Sequence, residues 1–227
     1  MKERADAPKT VEELLARARA LAGRSVGELA RERGLSAPPD LRRAKGFVGE
    51  LLERALGATA ASRAQPDFET LGVELKTLPV DPSGKPLEST FVCTIPLTEI
   101  GEVEWARSRV RRKLERVLWV PVEGMRDKPV PERRLGEPLL WSLDTASEAA
   151  LRFDWEELAG LIGRGDVEAI TGHIGRYLQI RPKARNGQAR RRGIDVDGAP
   201  FAALPRGFYL RPSFTREILR AHYALGG

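Results

Sequence analysis

Residues 71–78, Leu-Gly-Val-Glu-Leu-Lys-Thr-Leu, alternate apolar and polar side chains, while the sixty residues before them and much of the last third repeat apolar residues at helical spacing. A period of two belongs to a strand with one buried face, and a period near 3.6 to a helix with a buried stripe. The order along the chain is helices, then a sheet, then helices with short strands. That order predicts a mixed α/β (α+β) fold.

The local signals divide the chain further. Thr10 with Glu13 and Ser25 with Glu28 each fit a capping box at a helix start. The helix after Ser25 should stop at Gly34, and Pro38-Pro39 marks a turn. A third helix is expected from about Ala44 to Gly57, with Phe47, Val48, Leu51, Leu52, Ala55 and Leu56 on its apolar stripe. After the strand over 71–78, the turn Asp81-Pro82-Ser83-Gly84-Lys85-Pro86 leads into a returning strand from Thr90 to Ile95. Val117–Val122 reads as a buried strand, preceded by a helix of about three turns carrying Arg107, Arg109, Arg111, Arg112 and Lys113. Residues 126–138 read as a loop. A helix is expected from Ser147 to about Gly163, short strands over 177–181 and 207–211, and a helix from Ser213 to His222. Between those strands lies a polar, basic stretch from Pro182 to Pro200, of which 184–200 reads as a mobile loop that orders on phosphates.

Composition narrows the chemistry. The 227 residues can bury a core without disulfide staples. The single cysteine, Cys93, excludes a disulfide framework and a Cys-rich zinc site, and two histidines, His173 and His222, argue against a His-rich metal centre. Any catalytic metal should therefore be a hard cation on carboxylates. With 38 Lys+Arg against 32 Asp+Glu, the net charge of +6 is compatible with a polyanionic partner. MKERADAPKT lacks an apolar signal core and no run approaches 18 apolar residues, so the expected location is the cytoplasm.

The chemistry concentrates in Pro66–Lys76. On a strand, Glu74 and Lys76 project from the same face, roughly 6–7 Å apart along the chain, with Val73 and Leu75 opposite. Gly72 permits a tight bend that can fold Asp67 back beside Glu74. Two carboxylates and an ammonium so gathered suit metal-assisted phosphodiester cleavage. The acids would hold Mg²⁺, and Lys76 would orient the attacking water or stabilise developing charge. An E-x-K pair on a solvated strand face is also common. Glu53, bordering the stripe of the third helix, can reach inward as a third acid or sit on the surface in a salt bridge. Lys113 lies in a basic helix, whose ordinary meaning is a solvated cationic face.

The sequence resembles the MutH family of DNA mismatch-repair endonucleases, relatives of type II restriction enzymes with the PD-(D/E)xK core. The resemblance is carried by Leu51-Leu52-Glu53, Leu56-Gly57-Ala58, Asp67-Phe68, Leu71–Thr77, Pro86-Leu87-Glu88, Thr90–Cys93 and Arg116–Gly124, then by Tyr177–Lys183 and Leu204–Leu210. It runs from about residue 10 to residue 222. It implies a restriction-endonuclease-like central mixed sheet flanked by helices, with two arms around a DNA cleft. The whole chain would be a single nuclease domain, with an N-terminal arm over 1–105 carrying the acids and a C-terminal arm over 106–227 carrying recognition.

The resemblance makes Asp67 and Glu74 metal ligands with Glu53 as the additional acid, Lys76 the catalytic lysine, and Lys113 a further lysine near the site. It implies Mg²⁺-dependent nicking of the unmethylated strand at hemimethylated GATC. Arg181, Pro182, Lys183 and Tyr209 fall in segments near the recognition groove. Arg can donate bidentately to guanine. Tyr209 either closes on the adenine N6 region, where a methyl group would clash, or is a half-buried strand aromatic. Lys45-Gly46 resembles an element that approaches the DNA backbone, or is a helix start with a solvated lysine. The implied partners are double-stranded DNA, the MutL ATPase as activator and, through it, the mismatch sensor MutS, with the enzyme acting as a monomer. The 184–200 run and the 81–85 turn depart from the family pattern.

Two alternatives stand beside this. A restriction endonuclease of the same superfamily would cut both strands of GATC. A non-enzymatic DNA-binding protein would use Val26–Leu35 as the first helix and turn of a helix-turn-helix, although Pro38-Pro39 makes a poor recognition helix.

Overall fold

The computed structural model describes residues 5–41, 44, 46–60, 64–166, 170–183, 191–194 and 200–223, with the backbone alone for 191–194 and 200–203. It divides into two compact units. One comprises residues 1–88, 115–142 and 216–227, and the other 89–114 and 143–215.

The first unit starts with α1 (Val11–Arg19), α2 (Val26–Glu32) and α3 (Phe47–Leu56). At Ser25 the capping box closes, since Ser25 Oγ accepts the Glu28 N–H and the Glu28 carboxylate accepts the Ser25 N–H. At Thr10 it does not, because the Glu13 carboxylate reaches one residue further back to the Lys9 N–H at 2.7 Å. Gly34 ends α2 with φ +70°, a conformation that costs glycine no Cβ clash. No helix follows over residues 35–41, and α2 packs on the turn at Val130–Glu132.

The sheet of this unit has the order β1 (Glu74–Val80), β3 (Arg116–Glu123), β4 (Leu139–Ser142), with β1 parallel to β3 and β4 antiparallel to it. Its mixed character agrees with the expectation. One face, with Leu75, Leu118, Val120 and Val122, joins Leu14, Leu29, Leu51 and Leu52 of the helices in the core. Glu74 lines up with Val117 and Lys76 with Trp119.

The second unit holds an antiparallel sheet of order β2 (Thr90–Thr94), β8 (Arg206–Leu210), β5 (Leu178–Pro182), with α4 (Arg109–Leu114) packed on β2 and α5 (Thr145–Gly163) packed on β5. β6 (Arg191–Ile194) and β7 (Pro200–Ala203) form a separate antiparallel hairpin, and α6 (Pro212–Tyr223) closes the described chain. Among the described residues, no helix is long and apolar enough to cross a membrane.

Three expectations are corrected. The strand at 90–94 does not return against β1, because it pairs with β8. The turn ladder after β1 ends at the Val80–Pro86 bridge, and prolines at 79 and 86 offer no N–H with which to extend it. The basic helix before β3 spans only six residues, because Ser108 Oγ accepts the Arg111 N–H at 3.0 Å and starts it there, leaving Arg107 in a preceding single turn. β4, Leu139–Ser142, follows directly on the expected loop over 126–138, where no strand is expected. Within 182–200, residues 191–194 form a strand rather than a loop, while 184–190 and 195–199 lie outside the described residues.

Candidate active site

Phe68, 1% exposed, anchors the segment before β1 in the core. Its N–H donates to the Val73 carbonyl at 2.9 Å, and the Val73 N–H donates back to the Phe68 carbonyl at 3.2 Å. The four residues between them make a single 3₁₀ turn over Glu69–Leu71 and a left-handed Gly72 at φ +62°. This reversal is the bend that the Asp67–Gly72–Glu74 spacing predicts. It carries Asp67 alongside the start of β1, where Asp67 Oδ2 accepts the Leu75 N–H at 2.9 Å. The Asp67 carbonyl in turn accepts the N–H groups of Thr59 and Ala60 at 2.9 and 3.1 Å, tying the loop to the residues that follow α3.

Glu74 is only 2% exposed. Lys76 Nζ donates to Glu74 Oε1 at 2.6 Å. The i, i+2 spacing of a strand puts both side chains on one face, as expected. A buried carboxylate needs such compensation, because removing it from water costs several kcal/mol, on the order of what a close cation returns. The alternation expected for β1 is not strict, since Glu74 and Leu75 are both buried.

Glu53 sits half-buried on α3, the helix that packs against β1. Its carbonyl accepts the N–H groups of Gly57 and Ala58, which end the helix. Gly57 is at φ +81°, and a Cβ there would lie 2.2 Å from the Asp6 carbonyl oxygen, so only glycine fits. Among the described residues, no group of three or more His, Cys, Asp or Glu side chains is gathered so that it could hold a metal ion.

Lys113 belongs to the second unit. It is 4% exposed, whereas Arg109 and Arg112 on the same short helix are exposed, so it is not part of the solvated cationic face. Gly46 stands at the start of α3, and Lys45 lies outside the described residues.

The residues assigned to recognition come together in the second unit. Strand register aligns Phe91, Tyr209 and Gln179 across β2, β8 and β5. The Phe91 and Tyr209 rings meet edge-on with centroids 5.3 Å apart. Arg181 Cζ stands 5.9 Å from the Tyr209 centroid, and Lys183 Nζ stands 3.3 Å from the Phe91 centroid. Arg181, Pro182 and Lys183 are exposed, and Tyr209 is half-buried. Burial raises the Tyr209 hydroxyl pKa, and the nearby Arg181 guanidinium offsets part of that. Gly207 makes room for the arrangement, since a Cβ there would lie 2.8 Å from the Phe91 ring. Phe91 is the residue that sequence reasoning left out. The signal for it was its position in a predicted strand, but its contact with Tyr209 depends on a pairing across more than a hundred residues.

Glu74 beside the Lys76 ammonium, and Asp67 held on the N–H of the intervening Leu75, offer hard oxygen donors suited to a divalent cation, with a group that can stabilise negative charge on a phosphodiester. The comparisons agree in class. The profile of the family described as DNA mismatch repair enzyme MutH matches residues 56–154. DNA mismatch repair protein MutH of Vibrio cholerae is 55% identical over 218 residues, covering 96% of this chain and 99% of the relative. The proteins of that name from Klebsiella pneumoniae and Escherichia coli are each 53% identical, covering 97% and 96% of this chain and 96% and 95% of the relatives. The chain belongs to the MutH family, DNA mismatch repair endonucleases of restriction-endonuclease-like fold.

Proposed function

We propose that this chain is the methyl-directed nicking enzyme of mismatch repair. It hydrolyses one phosphodiester bond on the unmethylated strand of hemimethylated GATC, leaving a 5′-phosphate, and it acts as a cytoplasmic monomer. The observation that supports this reading most is the Asp67–Leu75 hydrogen bond combined with the Glu74–Lys76 pair, in a chain 55% identical to a MutH protein.

The donor chemistry fits a hard cation, since both Asp67 and Glu74 offer carboxylate oxygens and no soft ligand is near in the motif. Asp67 and Glu74, with Glu53 as the additional acid, would hold Mg²⁺, which when bound lowers the pKa of a water and shields the charge on the phosphate. Lys76 compensates Glu74 and presents its ammonium to the attacking water or the charged phosphoryl oxygens. Lys113 supplies a second buried cation. In this reading the N-terminal arm, residues 1–105, carries the catalytic acids, and the C-terminal arm, residues 106–227, carries DNA recognition. Lys45 and Gly46 approach the DNA backbone. Arg181 donates to a guanine edge, Pro182 and Lys183 flank it, and Tyr209 occupies the space that an adenine N6-methyl group would need. The MutL ATPase activates the enzyme, and the MutS mismatch sensor recruits MutL.

The test is nicking of unmethylated, hemimethylated and fully methylated GATC duplexes with Mg²⁺, with and without the ATPase. The expected product is a nick in unmodified strands only, enhanced by the ATPase. Activator-independent cutting of both strands would support a restriction enzyme instead, and site-specific binding without nicking would support a binding protein.

A further inference from the structure

Asp154 is 2% exposed on α5, and sequence reasoning gave it no role. Its carboxylate accepts three consecutive backbone N–H groups at the entry to β5. Oδ1 takes that of Arg176 at 2.8 Å, and Oδ2 takes those of Tyr177 and Leu178 at 2.6 and 2.8 Å. The opposite polarity of the same turn is held by Arg211, the residue immediately after β8. Arg211 Nε donates to the Gly175 carbonyl at 2.9 Å, and one terminal nitrogen donates to the carbonyls of Gly172 and Ile174 at 2.6 and 3.0 Å. Its own backbone N–H donates to the Tyr177 carbonyl at 2.7 Å. The fit is tight at Gly175, where φ is +80° and a Cβ would lie 2.0 Å from the Leu178 oxygen and 3.4 Å from the Asp154 carboxyl carbon.

We infer that Asp154 and Arg211 are positioning residues for specificity, a clamp that fixes β5 against β8 and so sets the place of Arg181 relative to Tyr209. The clamp ends at Leu178, one residue from Gln179 on β5, and at Arg211, two residues from Tyr209 on β8, and Gln179 and Tyr209 are register partners. A one-residue slip of β5 would turn Arg181 to the other face of the sheet. The strand itself spends its backbone groups on the ladder and cannot prevent a slip alone. A carboxylate taking three N–H groups and a guanidinium giving to three carbonyls accept only one register of the turn. The inference rests on the reading of β5 and β8 as the strands that discriminate methylated sites.

The experiment measures, for the full chain with Mg²⁺, the ratio of nicking rates on unmethylated and fully methylated GATC duplexes, together with affinity for a duplex without GATC. Asp154→Asn leaves one acceptor oxygen where two serve three donors, and Arg211→Lys keeps the charge but loses the fork. Each is expected to lower the ratio about tenfold, the size of one charge-assisted hydrogen bond, with a smaller change in non-specific affinity. The double variant should lose little more than either alone, because the two residues hold one turn. Ile162→Ala, two turns further along α5, serves as a destabilised control and should lower the melting temperature while leaving the ratio intact. An unchanged ratio in both folded clamp variants, or an equal loss in Ile162→Ala, overturns the inference. A wild-type chain that does not distinguish the two duplexes overturns the underlying reading, and the clamp's role with it.

Discussion

Lys76 Nζ lies 2.6 Å from Glu74 Oε1, and the two side chains are only 13% and 3% exposed. Surface ion pairs are worth little, but a pair this far out of water is another matter. The close ammonium offsets part of the cost of taking the carboxylate out of water. The same closeness keeps an ammonium next to the carboxylate that the proposed chemistry needs ionised.

Removing the lysine should therefore cost stability as well as activity. Lys76→Met removes the cation 2.6 Å from a carboxylate that is only 3% exposed, and chemical denaturation should show a loss of about 3 kcal/mol. Adding Glu74→Gln should restore most of it, because the charge goes with its partner. A single variant as stable as wild type would mean that Glu74 is satisfied elsewhere.

Acid stability of the second unit should depend on Glu148. Its carboxylate accepts from Arg111 Nε at 2.7 Å and from Trp105 Nε1 at 3.1 Å, and these two hydrogen bonds, Arg111 first, hold its pKa below the ordinary 4.5. The folded state then binds fewer protons than the unfolded state in that range. The resulting stability is present above pH 4.5 and is lost as pH falls through the lower folded value. Glu148→Gln should lower the melting temperature at neutral pH and flatten its decline on acidification, as read by melting curves across that window.

The Ser25–Glu28 box gives a local prediction. Ser25→Ala removes the acceptor for the Glu28 N–H and should cost about 1 kcal/mol, or some 2–4 °C in melting temperature. Gly34→Ala should also destabilise, by forcing a Cβ into a left-handed φ of +70°.

Tyr209 separates packing from sensing. Tyr209→Phe keeps the edge-on contact with Phe91 and the bulk beside Arg181, and should still exclude fully methylated GATC. Tyr209→Ala should nick methylated and unmethylated duplexes at rates within about tenfold of each other, the discrimination one close contact supplies. Paired nicking assays on the two duplexes decide it.

Much of this arrangement is legible in the sequence because it is local. The Asp67–Gly72–Glu74 bend follows from a glycine that can take positive φ and from the strand pattern beyond it. The Glu74–Lys76 pair follows from a period of two. Non-local pairing is not legible in that way. The strand at 90–94 looks like the partner of β1, and only the prolines flanking the turn hint that the ladder stops. β4, only four residues long, lies below the length at which alternation is informative. β6 lies in a basic run with no apolar alternation to mark it, yet its backbone pairs with β7. The contact of Phe91 with Tyr209 across Gly207 and the burial of Lys113 depend on packing that no spacing rule encodes.

Single-turnover nicking of a hemimethylated GATC duplex, measured beside DNA affinity for Asp67→Ala, Glu74→Ala and Lys76→Ala, tests the account most directly. Folded variants that bind the duplex within a few-fold of wild type but nick it at least about 100-fold more slowly are the predicted result. Near wild-type nicking by any of the three, with Mg²⁺ present, would contradict it.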